Sequence, residues 1–315
     1  MKAQRESWGE TLVSLAASDP TIVMLDGDLA NSTKADLFAA AYPERFFEVG
    51  IAEQNMVGMA FGLSTLGFRP WLSSFGVFFT HRALDSVRML LAQTGAPVRM
   101  AASYTGLLNG RNGKTHQDIE DLAIMRAMPG MTVLAPADAV EMAAAVRWAA
   151  SHSGPVYLRI ARDPVDDVFS GEYAFRMGDV HVLREGTDAI LVSTGVQTSR
   201  VVDAADELQA MGINVAVVHV PSIKPVNELA LREAVSGDAP IFTIEEHSII
   251  GGLGGLVSEI MSSSNVCKRV TRMGLTDAWS ESASNDYLLN KHGLSSARVV
   301  EQVRASLAEN SVEHS

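Results

Sequence analysis

Phe46-Phe47-Glu48-Val49-Gly50-Ile51-Ala52-Glu53-Gln54-Asn55-Met56-Val57-Gly58-Met59-Ala60 reads as the end of a β-strand, a glycine turn and the start of a helix. The apolar run stops at Val49, and from about Ala52 apolar residues recur at helical spacing. Glu53 therefore falls in the first helical turn, where free backbone N–H groups face the open end of a sheet and where open α/β sheets bind ligands. Val57, Ala60 and Ser64 share its face, and small, mostly apolar neighbours desolvate a carboxylate and push its pKa up. Position alone fits equally a glutamate favoured at a helix start by the macrodipole.

The same alternation runs outward in both directions. Strands are expected at Thr21 to Leu25, Phe46 to Val49, Pro70 to Ser73, Val98 to Ala102, Thr132 to Ala135 and Val156 to Ile160. Helices are expected near 5–17, 33–41, 52–65, 77–93, 118–127 and 137–151. Repeated strand-helix alternation needs crossover connections, which give a parallel sheet covered on both faces. The pattern breaks over the acidic, Pro- and Gly-bearing stretch Asp163 to Glu172. A second block follows, with strands at Ala189 to Ser193, Ile213 to Val220 and Ile241 to Glu245, and helices near 196–210, 226–235, 253–263 and 295–308. The expectation is two α/β domains with mainly parallel sheets: residues 1–165, a linker over 166–185, and a smaller domain over 186–315. Only Asn310 to Ser315 read as frayed.

Composition narrows the partners. The 315 residues carry 25 Lys and Arg against 37 Asp and Glu, a net charge of −12, so no basic footprint for nucleic acid or an anionic membrane exists. Cys267 is the one cysteine, which excludes an intrachain disulfide and a Cys-based zinc cluster and fits a reducing compartment. No apolar run reaches the ~18 residues of a membrane span. The expectation is a cytoplasmic protein.

Two further segments could carry chemistry. In Ser74-Phe75-Gly76-Val77-Phe78-Phe79-Thr80-His81-Arg82 a strand end runs into a helix, and Phe75, Phe78 and Phe79 could wall a planar ring or simply pack in the core. Gly106 to Lys114 reads as a surface loop that meets a helix near Gln117 or Asp118, and His116 at that junction is placed to donate to a substrate oxygen or to be merely solvated. Glu245-Glu246-His247 followed by Gly251-Gly252-Leu253-Gly254-Gly255 lacks the spacing of a nucleotide loop and reads as a tight strand-to-helix turn.

In this order, the segments resemble the middle and C-terminal domains of transketolase. Glu53 matches that family's cofactor-activating glutamate, Phe75 and Phe78 its pyrimidine-stacking aromatics, and His116 in Thr115-His116-Gln117 an active-site histidine. Pro221-Ser222-Ile223-Lys224-Pro225 and Glu245 to Gly254 resemble the C-terminal domain, so the likeness covers nearly the whole chain. The resemblance implies thiamine diphosphate as cofactor and transfer of a two-carbon ketol unit from a ketose to an aldose. A protonated Glu53 on the aminopyrimidine would favour the tautomer that removes the thiazolium proton, and His116 would bond the developing oxygen charge. It also places Asp28 and His81 beside the cofactor, and Arg5, Ser32 and Arg162 on the phosphate of a sugar phosphate.

The family's Gly-Asp-Gly does not occur here; Asp26-Gly27-Asp28 is a strand-end turn. The resemblance therefore implies a split enzyme. This chain would bring no metal ligand, and an N-terminal transketolase subunit would supply the diphosphate site and its Mg2+ or Ca2+. Assembly as a pair of heterodimers is expected. Gly110-Arg111-Asn112-Gly113-Lys114 replaces the family's usual Gly-Glu-Asp-Gly-Pro, so Asn112 stands for an aspartate, and Tyr104 stands for a second substrate histidine. These departures imply a donor or acceptor other than the usual pentose and hexose phosphates. The rival readings are the β subunit of a 2-oxoacid dehydrogenase first component, a deoxyxylulose-phosphate-synthase-like enzyme and a non-catalytic paralogue.

Overall fold

The structure, a computed structural model, describes residues 1–171, 173–263 and 268–313, and of 310–313 the backbone alone. Glu172, Cys267, His314 and Ser315 lie outside the described residues. The first six strands are β1 Ile22–Asp26, β2 Phe46–Glu48, β3 Arg69–Phe75, β4 Arg99–Ser103, β5 Thr132–Leu134 and β6 Val156–Ile160. The next six are β7 His181–Arg184, β8 Ala189–Ser193, β9 Val215–His219, β10 Ser222–Lys224, β11 Ile241–Ser248 and β12 Val270–Leu275. They form a seven-stranded sheet ordered β10-β5-β6-β4-β3-β1-β2 and a five-stranded sheet ordered β12-β11-β8-β9-β7. All pairings are parallel except β10 on β5 and β7 on β9. Two mainly parallel α/β layers are what the alternating pattern predicts.

The larger sheet winds outward from β1 to β2, then crosses back over β1 to β3. That reversal is the switch point at which open α/β sheets present a crevice beyond their C-terminal strand ends. The crossover helix is Glu53–Thr65, so its first turn lies at the crevice. Its inner face, with Met56, Val57 and Ala60 fully buried, packs with Leu25 and Leu72 into one core cluster.

The elements that escaped the periodicity include β7, β10, β12 and the helix Asn285–Lys291. Of these, β10 matters most, because it leaves the second half of the chain and closes the edge of the first sheet. Without it, β5 would present an unpaired row of backbone groups. Lys224 strengthens the join by donating to the carbonyl of Arg126 at 2.9 Å and to that of Met128, at the end of the helix Asp121–Ala127. The expected helix near 77–93 is divided into wide π-helical turns at Phe78–Arg82 and Val87–Ala92. The final helix runs Ser296–Glu313, past the start of the end expected to fray.

The two sheets are held together by buried charge. Arg159 on β6 donates twice to Asp121, at 2.8 and 3.0 Å, and once to the Glu246 carbonyl of β11 at 2.9 Å. Behind it, fully buried His219 of β9 meets fully buried Glu141 of the first domain at 2.8 Å. Removing one partner of a buried pair strands the other charge, at a cost of ~3–5 kcal/mol. Arg159→Met should lose about that much in urea unfolding; a loss below ~1 kcal/mol would show that the junction does not depend on this pair.

Candidate active site

Glu53 is the first residue of its helix and has no solvent exposure. Its Oε1 accepts from Ser74 Oγ, at the end of β3, at 3.2 Å, and its Oε2 from Arg82 Nη1 at 2.6 Å. Gly27, in the turn after β1, closes the pocket: a Cβ there would stand 3.5 Å from Glu53 Oε1 and 3.4 Å from Ser74 Oγ. Val57 and Ala60 are buried as the spacing predicts, whereas Ser64 is half-buried and donates to the Phe61 carbonyl. A buried carboxylate left unpaired is costly, so both donors are structural necessities as well as chemical ones.

The aromatic residues assemble beside it. Phe75 lies between Phe78, with ring centroids 5.9 Å apart, and Tyr104, which stacks on it at 4.0 Å. His116 sets its ring edge-on to Phe75 and Phe78 at 5.8 and 5.7 Å. Phe75 is buried and Phe78 partly exposed, with the Arg82 guanidinium over its ring; Phe79 packs in the core. Gly76 is required between them, since a Cβ would come within 2.5 Å of Thr105 Cγ2. Tyr104 holds a left-handed backbone, φ 64°, a strain that clusters at functional sites. His116 pairs Nδ1 with Thr115 Oγ1 at 2.8 Å, and burial lowers its pKa, which favours a neutral ring.

The residues expected on phosphate also converge. The Tyr104 hydroxyl accepts from Arg162 Nε at 3.1 Å and from Arg5 Nη1 at 3.4 Å, and Arg5 Nη1 donates to the Ser32 carbonyl at 2.7 Å. The Ser32 hydroxyl itself turns to Asn31. Exposed Asn112 lines a neighbouring cleft of about 510 Å3 together with Arg111, Arg162, Asp163 and Asn285. The second domain clamps this loop: Glu246 Oε1 accepts from the Leu108 N–H at 3.0 Å, Asn285 Oδ1 from the Gly110 N–H at 2.9 Å, and Ser248 N–H donates to the Ile119 carbonyl at 2.7 Å. Glu245 instead accepts from the N–H groups of Leu253 and Gly254, so the glycine-rich segment is a packing turn.

Two expected residues stand apart. The Asp28 side chain is exposed while its N–H donates to Glu48, and His81 turns to Glu120 at 3.1 Å. His81, Asp118 and Glu120 bring ligand atoms within 4.8 Å of one another, an arrangement able to hold a divalent ion that the sequence reading did not expect. The residues that reading missed are Ser74, Arg82, Asp26 and Asp118. Arg82 is the fourth residue after Phe78, the spacing at which helical side chains meet, and that signal lay in a segment already singled out. In Asp26-Gly27-Asp28 it is Asp26 that is buried.

The profile of the transketolase pyrimidine-binding domain matches residues 1–166, and that of the transketolase C-terminal domain residues 178–299. The chain belongs to the transketolase family. It is 37% identical to a transketolase C-terminal section of Methanocaldococcus jannaschii, over 96% of this chain and 95% of that one. It is 36% identical to a 6-deoxy-6-sulfo-D-fructose transketolase subunit of Clostridium sp. strain MSTE9, over 94% and 92%. A solved structure described as a split gene transketolase, inactive β4 tetramer, superposes with a TM-score of 0.89 at 42% identity, covering 98% of this chain and 99% of that one. No helix among the described residues is long and apolar enough to cross a membrane.

Asp26 supplies a test of this geometry. Burial raises its pKa from 3.8 to about 6, despite a 2.7 Å hydrogen bond from the Leu29 N–H. The native state thus keeps this proton to higher pH than the unfolded chain, a preference complete below 3.8 and lost as pH rises through about 6. Asp26→Asn should therefore add up to ~3 kcal/mol to stability near pH 7.5 and nothing by this route below about pH 4, measured by urea unfolding across pH. A pH-independent difference would contradict the assignment.

Proposed function

We propose that this chain is the pyrimidine-binding half of a two-subunit transketolase, moving a two-carbon ketol unit from a ketose with an anionic tail to an aldose. The observation that carries the reading is Glu53, buried, hydrogen-bonded and linked through Arg82 to the Phe78 ring. The residues fit the aminopyrimidine of thiamine diphosphate: the guanidinium of Arg82, planar and rich in N–H donors, already joins the Glu53 carboxylate to the Phe78 ring. The sequence holds no Gly-Asp-Gly for a diphosphate-bound metal. A partner subunit would bring that site with Mg2+ or Ca2+, in a pair of heterodimers. The similar solved chain, described as inactive as a β4 tetramer, supports such a need.

Bound between the subunits, thiamine diphosphate supplies the nucleophilic carbon and electron sink for breaking and making carbon–carbon bonds. The chain's own residues prepare that chemistry. Glu53 would offer its carboxyl group to the ring nitrogen of the aminopyrimidine, in a pocket its burial keeps dry. Phe75 backs Phe78, which bears the ring. His116, with Nδ1 engaged by Thr115, offers Nε2 to a substrate oxygen where charge develops. Arg5, Arg162, Tyr104 and Ser32 receive the anionic tail, for which a planar guanidinium fork suits phosphate or sulfonate alike. Asp28 and His81 are proposed to come into contact only in the assembled site. Tyr104 and Asn112, in place of the family's histidine and aspartate, favour a sugar outside the usual pentose and hexose phosphates, as the name of the Clostridium relative also does for that protein.

Glu53→Gln should slow exchange of the thiazolium C2 proton in the assembled, cofactor-loaded enzyme by ~100-fold or more, followed by NMR in deuterated buffer. Exchange at the wild-type rate would remove Glu53 from this role.

A further inference from the structure

We propose that Arg82 is an internal stand-in for the aminopyrimidine, filling the ring site until the cofactor loads. This rests on the cofactor reading above and concerns how the same site is held when empty. The guanidinium carbon lies 4.3 Å from the Phe78 ring centroid, and Nη1 lies 2.6 Å from Glu53 Oε2. Those are the two contacts the incoming ring requires: an aromatic face and the buried carboxylate. A ring that stacks on Phe78 and bonds Glu53 needs the volume the guanidinium occupies, so the two exclude each other.

The local backbone is built for this placement. Phe78–Arg82 is a π-helical turn, closed by the Ala83 N–H on the Phe78 carbonyl at 2.9 Å. Such wide turns insert one residue into a helix and occur frequently at functional sites. Here the turn carries Phe78 at its start and Arg82 at its end. The two partners differ in freedom. Glu53 has no exposure and cannot follow a departing partner, whereas the Arg82 side chain is 41% exposed and has solvent to swing into. With Arg82 gone and no ring bound, the Ser74 hydroxyl would be the one side-chain donor left to buried Glu53 among the described residues. Arg82 therefore stabilises the empty chain and lowers the apparent affinity for the cofactor by the fraction of molecules in which it is seated.

The test is calorimetric titration of the assembled two-subunit enzyme with thiamine diphosphate in excess Mg2+. Arg82→Met, which keeps an apolar stem and removes the charge and donors, should bind about tenfold more tightly than wild type, equivalent to ~1.4 kcal/mol. Arg82→Lys should fall between them. The melting temperature gives a second reading: the empty Arg82→Met enzyme should melt below wild type, and saturating cofactor should raise it by more. Wild-type binding with equal or weaker binding by Arg82→Met overturns the stand-in and leaves the cofactor reading intact. Absence of binding by every form overturns both.

Discussion

A carboxylate with no access to water has to be answered by donors, and the site is arranged around that requirement at Glu53. Its donors come from β3 and the turn that follows it, Ser74 from the strand end and Arg82 from the turn, and Gly27 after β1 closes the pocket beside them. They meet because parallel strands deliver their C-terminal ends to one edge, and because the winding reverses between β2 and β3 across β1. The helix that begins with Glu53 is the segment making that reversal. Fold and chemistry are here the same geometric fact.

The second domain acts on the site at one remove. Among the described residues it offers none to the ring pocket, yet Glu246, Ser248 and Asn285 fasten the backbone between Leu108 and Ile119, the loop that holds His116 and Asn112. Arg159 ties the same Glu246 strand to Asp121. A substrate wall made of loop needs such anchoring to keep its donors in place. This accounts for one chain carrying both domains while the metal-bearing part of the enzyme is proposed to lie elsewhere.

Much of this was legible before the structure. Val156–Ile160 and Ala189–Ser193 are central strands buried throughout, and their short, mostly apolar, β-branched runs marked them. Ser222–Lys224 was illegible because three residues between prolines look like a loop; they become a strand only by pairing with β5, far away in sequence. Likewise β7 and β12 lie at sheet edges with half-exposed residues, where no continuous apolar run is needed. Arg5, Tyr104 and Arg162 could be grouped only through family resemblance, since nothing local links them, and the structure brings them to one hydroxyl. The π-helical form of the Phe78–Arg82 turn leaves no mark in hydrophobic periodicity.

The most direct measurement is a crystal structure of this chain assembled with its diphosphate-binding partner, thiamine diphosphate and Mg2+. The account predicts the aminopyrimidine lying on Phe78 with a ring nitrogen within hydrogen-bonding distance of the Glu53 carboxylate. A ring bound elsewhere, or Glu53 turned out to bulk solvent, would contradict it.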